Sequence, residues 1–264
     1  MDINFLKDNG VDVDKSLELF GDIKTYNSTI GDFLIGVADK VPKLIQYKND
    51  KDLNNYSIYA HSIKADARYF GFKDLEEIAA NHEQKSKEGD LYYIQNDFDN
   101  LINEVDRITK VVKDYLDDNT SVDTPPVDLD KLKYIDKTIL VVDDSNIIRN
   151  FVSRIFKEEY IVGIAKDGEE AINIIKANSD NDNIKAILLD LNMPKVDGFA
   201  VLDYMKENDL FSKIPVSIIS GDSSKETIDR AFTYGIIDML GKPFNEQDVK
   251  RVVEKTMEFS KLKQ

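Results

Sequence analysis

Two rhythms of apolar residues divide the chain. Up to about residue 117, hydrophobic positions recur every three or four residues. In DLNNYSIYAHSIKADARYF they are Leu53, Tyr56, Ala60, Ile63, Ala67 and Phe70, a single stripe along a helix. Residues 90–117 keep the same step with Leu91, Ile94, Phe98, Leu101, Val105 and Ile108. Residues 22–48 predict a third long helix, bent at Pro42. A shorter helix opens at Lys73-Asp74 and runs through Leu75, Ile78 and Ala79, after a stop at Gly71. With one short helix at the N-terminus, these segments predict an up-and-down bundle of four main helices. The aromatics Tyr56, Phe70, Phe98 and Tyr115 fall at helical spacing and are assigned to its core.

Beyond residue 137 the rhythm changes. Short apolar runs, TILVV (138–142), YIVGIA (160–165), IKAILLD (184–190), IPVSIIS (214–220) and IIDML (236–240), alternate with helical segments. Five strands alternating with five helices predict a parallel sheet covered on both faces. The joint, DDNTSVDTPPVDLD, is polar and acidic and carries Pro125-Pro126, which reads as an extended linker. The predicted organisation is two domains: an all-α four-helix bundle over residues 1–118, a linker over 119–136, and a five-stranded, doubly wound α/β domain over 137–264.

Composition narrows the function. The chain of 264 residues contains no cysteine, which excludes disulfides, thiolate metal sites and cysteine nucleophiles. A formal net charge of −15, with acids outnumbering bases on both sides of the joint, argues against a nucleic-acid partner. No apolar run approaches the roughly 20 residues of a membrane helix, and the N-terminus lacks a secretory pattern, so the expected location is the cytoplasm, without membrane insertion. No glycine-rich nucleotide loop is present. Neither an ATP-binding kinase domain nor a DNA-binding output domain is expected.

The chemistry collects where the strands end. The first strand ends in Asp143-Asp144, the third in Asp190 and the fourth in Ser220-Gly221, and Lys242-Pro243 follows the fifth. With strand order 2-1-3-4-5 the first and third strands flank the switch point of the sheet, where ligands bind. Three carboxylates in one crevice repel one another unless a cation intervenes. A hard divalent ion, Mg²⁺, suits an all-oxygen site that must also admit a phosphate. Lys242 and the Ser220 hydroxyl then suit a phosphoryl group arriving on a carboxylate nucleophile.

The motifs ILVVDDSNIIRNFV, AILLDLNMPKVDGF, VSIIS-GD and DMLGKPF, in this order and spacing, resemble a response-regulator receiver domain over about residues 137–260. The resemblance implies that Asp190 is the phosphoacceptor and that Asp143, Asp144, Asp190 and the backbone carbonyl of Asn192 hold Mg²⁺. It also implies that Ser220 and Lys242 contact the phosphoryl group and that a cis peptide joins Lys242 to Pro243. Met239 stands where the family usually places Tyr or Phe.

AHSIKADARYFGFKDLEEIAANHE resembles a histidine phosphotransfer (HPt) domain, whose His-x-x-Lys-Gly motif lies on a bundle helix; the resemblance covers about residues 10–117. His61 lies beside the buried stripe, with Lys64 and Arg68 on its own face, where they could support a phosphoryl group on the imidazole. Ile58 and Ala65 flank that face. Ala65 stands where the family has glycine, and Asp66 where it has a small polar residue. On the residues alone, His61 also reads as an ordinary helix-surface histidine, and His82 is assigned to the surface. Together the resemblances imply a phosphorelay protein that moves a phosphoryl group through His61 and Asp190. The partners implied are a histidine kinase or hybrid-kinase receiver upstream and a second receiver or HPt domain downstream. Two alternatives stay open. In one, the receiver controls a binding or dimerisation bundle and only Asp190 is phosphorylated. In the other, the receiver is a phosphate sink.

Overall fold

The computed structural model describes residues 2–117, 138–178, 183–222 and 224–261, and the expected linker over 119–136 lies outside them. The described residues fall into two compact units, one over residues 2–117 and one over residues 138–261.

The first unit is helical: α1 (Ile3–Asp8), α2 (Val13–Phe20), α3 (Ile23–Asp50), α4 (Leu53–Phe70), α5 (Lys73–Lys87) and α6 (Leu91–Asp117). Aspartates open most of these helices. Asp12, Asp22 and Asp52 each accept an N–H three residues on, from Lys15, Thr25 and Asn55, which satisfies one of the free donors of the first turn. The single short N-terminal helix expected from sequence is two helices, because Gly10 turns the chain at a φ of 82° and Asp12 caps a new start. Pro42 lies inside α3, and one continuous helix is assigned through it.

Gly71 ends α4 in the left-handed conformation, with φ 75°. A Cβ there would lie 2.3 Å from the Asp12 carbonyl oxygen, so glycine is required by space as well as by φ. The predicted stripes are buried: Tyr56, Ala60, Ile63, Ala67 and Phe70 on α4, and Ile94, Phe98, Leu101, Val105 and Ile108 on α6. Leu53 and Leu91, at the first turns of these helices, are only half-buried. An aromatic cluster closes the core, with Phe20 stacked on Phe70 at 5.5 Å between centroids and Phe33 edge-on to Phe72 at 4.9 Å.

The second unit is a five-stranded parallel sheet in the order β2-β1-β3-β4-β5, as expected from sequence. Its strands are β1 (Thr138–Val142), β2 (Ile161–Ala165), β3 (Ile184–Asp190), β4 (Val216–Ser220) and β5 (Met239–Gly241). Helices α7 (Asn146–Phe156), α8 (Gly168–Asn178), α9 (Gly198–Glu207), α10 (Lys225–Phe232) and α11 (Glu246–Lys261) alternate with them. Leu140, Val142, Ile187, Leu189, Val216 and Ile218 share a core with residues of α8, α9 and α10. On the other face, Ser217 of β4 hydrogen-bonds Thr256 of α11 at 2.7 Å. Burial on both faces explains why the strands read as continuous apolar runs rather than alternating ones. The last strand is shorter than its apolar run: Ile236 and Ile237 lie before it.

Candidate functional site

The register of the sheet builds the first site. Val142 of β1 is level with Leu189 of β3, so Asp143 and Asp190 leave the two central strands side by side. Ser220 is level with Gly241, and the Lys242 N–H donates to the Ser220 carbonyl at 2.8 Å. This brings the lysine to the same edge. Its Nζ lies 2.6 Å from Asp190 Oδ2 and 2.8 Å from Asp143 Oδ2. The expected cis peptide joins Lys242 to Pro243.

Asp143, Asp144 and Asp190 each present an oxygen, and the three oxygens lie within 4.8 Å of one another. Asp143 and Asp190 are buried, while Asp144 is partly open. Backbone donors fix both buried carboxylates: Ser145 N–H to Asp143 Oδ1 at 2.9 Å, and Asn192 N–H to Asp190 Oδ1 at 3.2 Å. Ser220 is buried beside them, its hydroxyl oxygen accepting the Asp222 N–H at 3.1 Å.

Burial pushes the Asp190 carboxyl up to about 7; Lys242 opposes the shift, and Asp143 and Asp144 add to it. Burial raises Asp143 as well, again against Lys242. For Lys242 burial favours the neutral amine, but Asp143, Asp190 and Asp144 outweigh it and hold the ammonium firmly charged. One lysine against three carboxylates leaves excess negative charge in a largely buried pocket. The donors are all hard oxygens, which is the set a small divalent cation such as Mg²⁺ takes. These residues therefore fit the ion that receiver domains generally bind.

A second cluster forms in the bundle, between α4 and α5. The Nδ1 of His61 lies 2.9 Å from Glu83 Oε1. Glu83 also accepts Lys64 Nζ at 2.5 Å on Oε2 and Lys87 Nζ at 2.6 Å on Oε1. Burial alone would raise the Glu83 carboxyl, but His61, Lys64 and Lys87 together hold it far below the usual carboxylate range. An ionised Glu83 accepts from Nδ1–H, so in the neutral tautomer of the ring the lone pair lies on Nε2. That Nε2 is buried and has no hydrogen-bond partner.

Lys64 Nζ lies 3.4 Å from His61 Nδ1 while it pairs with Glu83, on the Nδ1 side of the ring. Arg68 is committed elsewhere, to Glu76 Oε1 at 2.5 Å. His61 is more enclosed than a position beside the stripe implies, at 8% exposure. Asp66 turns into the core and pairs with Lys40 of α3. His82 is the clear correction. It is fully buried rather than on the surface, because its Nδ1 is 2.8 Å from the Tyr56 hydroxyl and its Nε2 is 3.3 Å from Asp97 Oδ2.

Sequence reasoning missed Glu83, Lys87 and Lys40. Glu83 and Lys87 are four apart on α5 and look like a solvent-facing helical pair. Only packing of α5 on α4 reveals what the glutamate touches.

A doubly wound parallel sheet that gathers three aspartates, a serine hydroxyl and a lysine at its strand ends is the architecture of a receiver domain. Residues 139–254 match the family of response regulator receiver domains, and the chain belongs to that family. It is 31% identical over 120 residues to the two-component response regulator ORR3 of Oryza sativa subsp. indica, covering 45% of this chain and 89% of that one. It is 32% identical over 120 residues to chemotaxis protein CheY1 of Helicobacter pylori, covering 44% and 93%. Among solved structures, chemotaxis protein CheY4 of Vibrio cholerae is 27% identical, with a TM-score of 0.42, covering 47% of this chain and 99% of that one. The family places the second unit in two-component signalling, where receivers take phosphate from histidine kinases. No helix among the described residues is long and apolar enough to cross a membrane.

Proposed function

We propose that the chain is a phosphorelay protein in which His61 and Asp190 each carry a phosphoryl group. The observation that carries this reading is the His61–Glu83–Lys64 cluster: a carboxylate on Nδ1, a lysine beside it and a lone pair left at Nε2. It is the arrangement a nucleophilic imidazole needs, a base oriented through its second nitrogen. When Nε2 is phosphorylated the proton stays on Nδ1, so the ring gains positive charge, and the Glu83 carboxylate neutralises it. Lys64, paired with Glu83 on the Nδ1 side of the ring, helps keep that carboxylate ionised. Passage to Asp190 breaks the N–P bond, forms a carboxylate O–P bond and returns the electron pair to Nε2.

At the receiver, Asp190 is the acceptor, Lys242 and Ser220 would meet the phosphoryl oxygens, and Asp143, Asp144, Asp190 and the Asn192 carbonyl would hold Mg²⁺. The bound ion supplies Lewis-acid neutralisation of the phosphoryl oxygens. Burial of Asp143 and Asp190 keeps those charges effective by excluding water. The upstream partner on this reading is a histidine kinase or a hybrid-kinase receiver, and a second receiver or HPt domain stands downstream.

The low exposure of His61 favours one second reading, in which the bundle is a binding or dimerisation module and only Asp190 is phosphorylated. Labelled phosphoryl loading separates the two. The wild-type protein is loaded from a cognate kinase or a small phosphodonor beside His61→Gln and Asp190→Asn. The relay reading expects a base-stable, acid-labile label that His61→Gln abolishes, and a base-labile label that Asp190→Asn abolishes. Label confined to Asp190, with His61→Gln indistinguishable from wild type for every donor, supports the module reading.

A further inference from the structure

The segment between Asp190 and α9, residues 191–197, carries Asn192, and its far end is held in three ways. The Gly198 N–H donates to the Leu191 carbonyl at 3.0 Å, which closes the loop on itself. The Gly168 N–H donates to the Val196 carbonyl at 3.0 Å, which ties the loop to the turn between β2 and α8. Lys195 Nζ pairs with Asp167 Oδ2 at 2.6 Å across the same junction. The junction is tight: a Cβ on Gly168 would lie 2.5 Å from the Val196 oxygen, and one on Gly198 would lie 2.2 Å from the Asp190 oxygen.

The ion pair is the unexpected member of this set. Asp167 is buried, and its other oxygen accepts the Glu170 N–H at 3.0 Å as the cap of α8. Lys195 is exposed over 59% of its side chain and has a φ of 65°, a left-handed conformation that lysine adopts at a cost. A pair so open at one end contributes little to folding. Glycine would serve the backbone better. The lysine is therefore not explained by stability, and it lies three residues from Asn192 in the loop that leaves Asp190.

We propose that Asp167 and Lys195 are positioning residues for the phosphoacceptor loop. Their ion pair locks the loop against the β2–α8 turn and so fixes the Asn192 carbonyl relative to the three carboxylates, which sets the affinity for Mg²⁺. Neither residue touches the phosphoryl group. The proposal rests on the reading of Asp143, Asp144, Asp190 and Asn192 as the Mg²⁺ site.

The test is a titration of the full-length protein with MgCl₂, followed by calorimetry and by backbone amide shifts. Lys195→Met and Asp167→Asn, which keeps the helix cap, should each weaken binding about 10-fold, the loss usual for groups that orient metal ligands from behind. The double variant should be no weaker than either single one. Lys195→Arg should restore affinity. Lys195→Gly, which relieves the backbone but lacks the ammonium, should behave like Lys195→Met. Without Mg²⁺, amide exchange over residues 192–196 should quicken in the weakened variants while β1 and β3 keep wild-type protection. Wild-type affinity in Lys195→Met, or additive losses in the double variant, overturns the proposal. If Asp190→Asn binds Mg²⁺ as the wild type does, the metal-site reading itself fails, and the proposal with it.

Discussion

Removing the Asp66 carboxylate should loosen the bundle strongly, whereas removing both partners of its ion pair should not. Lys40 of α3 and Asp66 of α4 are 4% and 2% exposed at their side chains, so water cannot take the place of a lost partner. Asp66→Ala strands the Lys40 ammonium in the interior. Breaking a buried pair in this way costs about 3–5 kcal/mol. Each 1.4 kcal/mol is a factor of ten, so local opening should become about 10²- to 4 × 10³-fold more frequent. Lys40→Met with Asp66→Leu removes both charges and fills much of the space, and should recover most of the loss. Hydrogen exchange by mass spectrometry reads this in the full chain, with peptides from α3 and α4 as reporters and the receiver strands as internal reference. A loss below about 1 kcal/mol for Asp66→Ala, or a double variant as damaged as the single one, would refute the assignment of this pair as a buried structural contact.

Three further predictions follow from the same contacts. Glu83→Gln should slow phosphorylation of His61 on the order of 10- to 100-fold, because the carboxylate that orients Nδ1–H and balances the charged ring is gone, while the circular dichroism of the bundle stays unchanged. Burial lowers the pKa of His82, with Asp97 opposing, so the folded state resists its protonation. The unfolded state then binds more protons below the ordinary histidine pKa of about 6.5, and stability present above that pH is lost as pH falls through it, by up to about 1.4 kcal/mol per pH unit. Denaturant titrations between pH 7.5 and 5 should show this slope in the wild type and lack that share of it in His82→Gln. Gly198→Ala should destabilise the receiver by about 1–3 kcal/mol in thermal melts, because its Cβ would meet the Asp190 carbonyl oxygen at 2.2 Å.

The parts of this molecule that were legible in sequence are those where chemistry and periodicity coincide. Strands buried on both faces announce themselves as apolar runs, and parallel topology then carries Asp143, Asp190, Ser220 and Lys242 to one edge. A stripe of six residues placed α4 and, with it, His61. What sequence spacing could not show is contact between elements far apart in the chain. Glu83 is 22 residues from His61, and nothing in either segment announces the other. Lys40 and Asp66 lie 26 residues apart, and only the packing of α3 on α4 brings and buries them together. His82 looked solvated because its hydroxyl partner, Tyr56, sits on another helix. Asp66 lies two residues past Lys64, and helical rotation turns it away from His61, toward Lys40 of α3.

The central claim is that the His61 imidazole is a phosphoryl carrier, loaded at Nε2 because Glu83 holds the proton on Nδ1. Nitrogen-15 and phosphorus-31 NMR of the full chain, loaded from a phosphoramidate donor or the cognate kinase, reads the bonded atom directly. The account predicts phosphorus on Nε2 of His61, decaying as an acyl phosphate appears on Asp190 once Mg²⁺ is added. Phosphorus on Nδ1, or no histidine phosphoramidate from any donor while Asp190 accepts phosphate, would contradict it.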